Sequence, residues 1–129
     1  MKYNIIINQF AVLKLKTKLD FKDLSILDYI IDICTSQNKY IINKRINGFT
    51  WIDYENLMQS LPLLGIKTKS SITPRIKKIE QSGFIKIIKK QHQTIFVKLT
   101  EKVDKLRYVK GFGYENFTGK KLKVVGIDY

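Results

Sequence analysis

The hydrophobic period of this chain changes abruptly at Gly83. Upstream, Ile72, Ile76 and Ile79 recur at i, i+4 and i+7, one narrow apolar seam along a helix. Gly83 stops that helix. Two strand-like runs follow at once, Phe84 to about Lys90 and Thr94 to Leu99, joined by the polar tip Lys90-Gln91-His92-Gln93. A helix that spends only three isoleucines on a core leaves most of its circumference exposed. The remaining elements must therefore supply the core, and what the exposed surface carries becomes the functional question.

Other helices are marked by their caps. Asp20 can accept hydrogen bonds from the free N–H groups of a helix beginning at Phe21, and Asp23 adds negative charge to its first turn. Leu24, Leu27, Ile31 and Cys34 then repeat at helical spacing, widened by Ile26, Ile30 and Ile33, with Ser25, Asp28 and Asp32 as the polar stripe. Asn8 is placed to cap a shorter helix through Lys16, while Leu13, Leu15, Thr17 and Leu19 alternate with lysines as a strand would; a helix followed by an extended entry is the preferred reading. A polar connection containing Asn38, Asn43 and Asn47 leads to a short strand at Phe49-Thr50-Trp51-Ile52. Asp53 caps the next helix, Tyr54 to about Leu61, which Pro62 ends. Gly65 offers the positive φ of the following turn. Thr68, Ser70 or Thr73 can cap the helix of the isoleucine seam, the last with Pro74 at the first helical position. Thr100 can cap a last helix to roughly Val109, and 110–129, with Gly111, Gly113 and Gly119, reads as a C-terminal extension.

Charge narrows the function. The chain of 129 residues carries 24 Lys+Arg against 11 Asp+Glu, a formal net charge of +13. Residues 1–66 contribute +2 and residues 91–129 contribute +4, whereas residues 67–90 contribute +7 with Glu80 as their one acid. An AT-rich coding bias would enrich lysine evenly, so this clustering favours a polyanionic partner. One cysteine and one histidine exclude an internal disulfide and a zinc or iron site of ordinary ligand count. His92 at a hairpin tip has no desolvating pocket for general-base work. GFGYENFTG (111–119) lacks the spacing and the Lys-Ser/Thr ending of a phosphate-binding loop. No apolar run approaches the roughly 20 residues of a membrane span, and no signal-peptide pattern opens the chain. The expectation is a cytoplasmic, non-catalytic protein without metal or cofactor and without a membrane partner.

Helix, short strand, helix, turn, helix and hairpin is the order of a winged helix-turn-helix. The expected fold class is α+β, mainly helical, with a two-stranded wing, the domain spanning 1–109. On the exposed surface of the third helix of that motif, Ser71, Arg75 and Lys78 form one row and Pro74, Lys77 and Gln81 the next. Such a helix can enter a major groove, with Arg75 long enough for a bidentate contact to guanine. Hydroxyls and free N–H groups at its start suit phosphate. The expected DNA-binding residues are Lys67, Lys69, Ser70, Ser71, Thr73, Arg75, Lys77 and Lys78 on the turn and helix, with Lys89, Lys90, Gln91 and His92 on the wing. Trp51 and Tyr54 read as packing residues.

The stretch FTWIDYENLMQSLPLLGIKTKSSITPRIKKIEQSGFIKI (49–87) resembles the winged-helix segment of phage and plasmid replication-initiation, or replisome-organiser, proteins. INQFAVLKLKTKLDFKDLSILDYI (7–30) is similar to the N-terminal part of the same proteins, and together the match covers about two-thirds of the chain. Pro74 stands where that family has a basic or polar residue. The resemblance implies binding of double-stranded DNA in replication initiation or organisation of a phage, plasmid or mobile element. A winged-helix transcriptional regulator is the alternative, and a protein-interaction module docking an acidic partner is a third. The terminal segments are available for pairing with a second copy or a replication protein.

Overall fold

The computed structural model describes residues 4–89 and 94–107. Helix α1 (Gln9–Leu15) starts at Asn8, whose Oδ1 accepts from the Ala11 N–H at 3.0 Å, and ends at Lys16 in the left-handed region. Helix α2 (Phe21–Thr35) opens on a reciprocal capping box. Asp20 Oδ1 accepts from the Asp23 N–H at 2.8 Å, and Asp23 Oδ2 accepts from the Asp20 N–H at 3.0 Å. A short helix α3 (Lys39–Asn43), capped by Asn38, lies inside what the sequence reads as a polar connection. Strand β1 (Thr50–Trp51) leads to α4 (Tyr54–Ser60), capped by Asp53 as expected. The turn after Pro62 places Gly65 at φ 66°.

Helix α5 (Ile72–Gln81) is preceded by a tight single turn at Lys69–Ser71 that begins after Thr68, so Pro74 falls inside the first turn of α5 rather than at its first position. Gly83, at φ 88°, closes the helix. Strands β2 (Ile85–Lys89) and β3 (Ile95–Leu99) pair antiparallel, and α6 (Lys102–Arg107) follows. The sheet has three strands in the order β1-β3-β2, because Thr50 and Trp51 pair with Val97 and Phe96. The hairpin is thus extended by the short strand instead of standing alone. The hairpin tip (90–93), the expected continuation to Val109 and the extension 110–129 lie outside the described residues.

The core lies between α2, α4, α5 and the sheet. Ile26, Ile30, Leu57, Ile72, Ile76, Ile79, Phe84 and Val97 are all fully buried. The seam of α5 is therefore spent as its spacing predicts, each isoleucine contributing on the order of 1.5–3 kcal/mol. The polar stripe of α2 is a different matter. Asp32 is exposed, but Ser25 and Asp28 are buried. Ser25 Oγ donates to the Phe21 carbonyl at 2.8 Å, and Asp28 Oδ2 accepts from the Ile6 N–H at 3.4 Å, because the extended N-terminal segment lies over that side of the helix.

Arg45 fixes the exit of α2. Its Nη2 donates to the carbonyls of Ile33, Cys34 and Ser36 at 2.9–3.0 Å, and its Nε donates to Thr50 Oγ1 at 3.1 Å. One guanidinium thereby satisfies carbonyls that the helix end leaves open and ties them to β1.

Candidate nucleic-acid interface

Two rows of side chains leave α5 outside its apolar seam, and they meet different surroundings. Ser70, Thr73, Pro74, Lys77 and Gln81 are exposed. Arg75 and Lys78 lean instead onto the start of α2. Arg75 Nη1 lies 3.0 Å from both carboxylate oxygens of Asp20 and 2.8 Å from Asp23 Oδ1, and Lys78 Nζ lies 2.5 Å from Asp23 Oδ2. The cause is the burial of Asp23, whose side chain is 0% exposed. A carboxylate removed from water has to be paired and hydrogen-bonded, and α5 brings two cations to it. Of the row Ser71, Arg75 and Lys78 expected to face solvent, the two cations thus pack toward α2 while Ser71 stays exposed, and the Arg75 guanidinium is committed to two carboxylates rather than presented outward. The exposed Ser71 hydroxyl donates locally, to the Thr68 carbonyl at 2.8 Å.

This pairing perturbs titration. Burial raises the Asp20 carboxyl, but the Asp23 N–H and the Arg75 guanidinium outweigh it and hold the group at about 2. Hydrogen bonds that Arg75 donates to Asp23 and then to Asp20 push its guanidinium further up.

Of the exposed residues, Ser70 and Thr73 open onto a groove of about 620 Å³ between the start of α5 and the sheet. Lys69, Ser70 and Thr73 line one side, Lys89, Thr94 and Ile95 come from the hairpin, and Trp51, Ile52, Asp53 and Tyr54 complete the wall, the Asp53 carboxylate being engaged as the cap of α4. Tyr54 Oη and Thr73 Oγ1 are 3.3 Å apart, which fixes the entry of α5 against α4. Burial raises the Tyr54 hydroxyl, with Thr73 opposing, so the phenol remains a neutral donor and acceptor in the groove. Lys69 makes an exposed pair with Glu55 at 3.3 Å, and Lys77 one with Glu80 at 3.8 Å. Pairs of that exposure contribute about 0–1 kcal/mol and release readily to a stronger anion. Lys67, Lys86 and Lys89 are exposed and have no ionic partner among the described residues.

Of the expected site residues, the groove brings together Lys69, Ser70, Thr73 and Lys89. Lys67 and Lys77 are exposed outside its lining, Ser71, Arg75 and Lys78 turn to neighbouring backbone and α2, and Lys90, Gln91 and His92 lie outside the described residues. Sequence reading passed over Trp51, Tyr54 and Thr94. An aromatic followed two residues later by the Asp53 cap was the available signal, since it places Trp51 and Tyr54 at a strand–helix junction.

Among the described residues, no group of three or more His, Cys, Asp or Glu side chains is placed to hold a metal ion. No helix among them is long and apolar enough to cross a membrane. No family model, curated protein or solved structure matches the chain, so the interface is read from its own residues.

Proposed function

We propose that this chain is a winged helix-turn-helix protein that binds double-stranded DNA without catalysis, offering α5 to the major groove and the β2–β3 hairpin as a wing. The observation that carries the reading is the groove in which Lys69, Ser70 and Thr73 from the start of α5 meet Lys89 from β2. A duplex laid along it finds cations and hydroxyls suited to phosphate at both sides, while Thr73, Lys77 and Gln81 project from α5 at one-turn spacing. The sheet order β1-β3-β2 and the helix order α2, α4, α5 support the same reading. The resemblance of residues 49–87 to replication-initiation proteins supports a role in starting or organising replication of a phage, plasmid or mobile element.

The test is selection from a random-sequence duplex library, sequenced at two salt concentrations. A recovered motif lying at an origin of the source genome supports the replication role, and one lying at a promoter replaces it with transcriptional regulation. No binding at either salt refutes the duplex reading. Lys77→Ala and Lys69→Ala should weaken binding of the folded protein more than Arg75→Met, because Arg75 already serves Asp20 and Asp23.

A further inference from the structure

We propose a second binding site, a stacking platform for the unpaired bases of a single-stranded nucleic acid, built on Trp51 with Tyr40 and Lys44 at its rim. Trp51 is the one tryptophan of the chain. It lines the groove of about 620 Å³ and also a second open groove of about 440 Å³, whose wall includes Lys44, Thr94 and Phe96. One indole therefore borders open space in two directions, which a tryptophan used only for packing does not do. Helix α3 delivers the rim. Lys44 Nζ is 5.1 Å from the centroid of the Trp51 ring and 5.2 Å from that of Tyr40, and Tyr40 is 64% exposed.

The chemistry of this cluster selects bases with free faces. In a duplex those faces are already stacked on one another, whereas a single strand offers each of them to an aromatic ring. Alternation of exposed rings and cations is the usual composition of a single-strand site, with one stack contributing about 1–3 kcal/mol per base. Lys44 has no carboxylate partner among the described residues, so its ammonium is held by two rings and stays available to a phosphate. Lys69 and Lys89 stand across the larger groove for the flanking phosphates. The acids nearby are engaged, since Asp53 accepts from the N–H groups of Glu55 and Asn56, and Glu55 pairs with Lys69. The inference uses the same groove as the duplex reading but does not depend on it, because its contacts are to base faces rather than groove edges.

Trp51 fluorescence in the full chain reports the site directly. A dT12 strand, an rU12 strand, a 12-nucleotide abasic strand with the same phosphates and a blunt duplex are titrated in parallel. The expected result is quenching by dT12 or rU12, whichever sugar the site accepts, with affinity at least about fivefold above that for the abasic strand. By anisotropy of labelled dT12, Tyr40→Ala should lose a similar factor, and Trp51→Phe should lose less than Trp51→Leu. Because Tyr40 is exposed, its variant keeps the test valid should Trp51→Leu fail to fold. Equal affinity for the abasic strand, equal quenching by the duplex, or no quenching by either single strand overturns the proposal. Lys77→Ala should weaken duplex binding and leave dT12 quenching intact, which separates failure of this site from failure of the duplex reading.

Discussion

Replacing Asp23 by Asn probes the junction between α2 and α5 while leaving shape nearly unchanged. Every group that meets the Asp23 carboxylate is a donor: the Asp20 N–H at 3.0 Å, Arg75 Nη1 at 2.8 Å and Lys78 Nζ at 2.5 Å. An amide supplies one oxygen and one NH2 group, so in either orientation it points donors at a donor and leaves a cation without its counter-charge. Removing one partner of a buried pair costs about 3–5 kcal/mol. Asp23 is wholly buried, but the side chains of Arg75 and Lys78 keep 27% and 41% exposure. Water can therefore rehydrate both cations in part, which places the expected loss near the lower end, about 3 kcal/mol. Asp20→Asn is the matched control. Its side chain is 54% exposed, Asn caps as well as Asp, and an exposed pair contributes about 0–1 kcal/mol. Urea unfolding followed by helical circular dichroism at pH 7 and 0.1 M salt measures both variants. The reasoning fails if Asp23→Asn stays within about 1 kcal/mol of the parent, or if Asp20→Asn costs as much as Asp23→Asn.

Asp20 also sets an acid dependence. Its folded-state carboxyl lies near 2 against 3.8 ordinarily, so its contribution is complete above about pH 4 and disappears as pH falls toward 2. Asp20→Asn should flatten the stability curve in that window and nowhere above it, as urea midpoints from pH 2 to 6 would show. Burial pushes the Cys34 thiol up to about 11, with Thr50 and Arg45 opposing. At pH 8 it should therefore react with an aromatic disulfide reagent roughly a hundredfold more slowly in the native protein than in urea, the ratio of thiolate fractions. Equal rates would place Cys34 in solvent. Duplex binding should have a bounded salt dependence. With Arg75 and Lys78 spent on Asp20 and Asp23, the cations left between 67 and 90 are Lys67, Lys69, Lys77, Lys86, Lys89 and Lys90. Their neutralisation of phosphates limits the slope of log K against log salt to about −5. A markedly steeper slope would show that cations elsewhere in the chain touch the DNA.

What the sequence made legible was local. Asn8, Asp20 and Asp53 announce their helices because a cap acts on N–H groups two or three residues away, and each does so here. The isoleucine seam of α5 and the stop at Gly83 belong to the same short range. Helix α3 is not legible because five residues, from Lys39 to Asn43, leave no periodic signal, and it is held by its Asn38 cap. The pairing of β1 with β3 joins residues nearly fifty positions apart, which no local pattern encodes.

The candidate site divides along the same line, and the consequence is electrostatic. Counting charges in a window treats Arg75 and Lys78 as surface charge because the one acid near them in the sequence, Glu80, pairs with Lys77 instead. Their partners come from 52 and 55 residues upstream, carried there by the packing of α2 on α5. Asp23 is the favourable first-turn charge its position predicts, but its burial gives it a second demand that α5 meets. The basic window is therefore less basic at its surface than in its sequence. Two of its cations hold the helix in place, and of the others Lys69 and Lys89 line the groove. Fixing α5 by its own cations orients the exposed row Thr73, Lys77 and Gln81 before any partner arrives, so the ordering cost of that helix is met in folding rather than in binding. An Arg75 variant should accordingly reveal itself first as a loss of stability, with any loss of affinity following from the loosened helix.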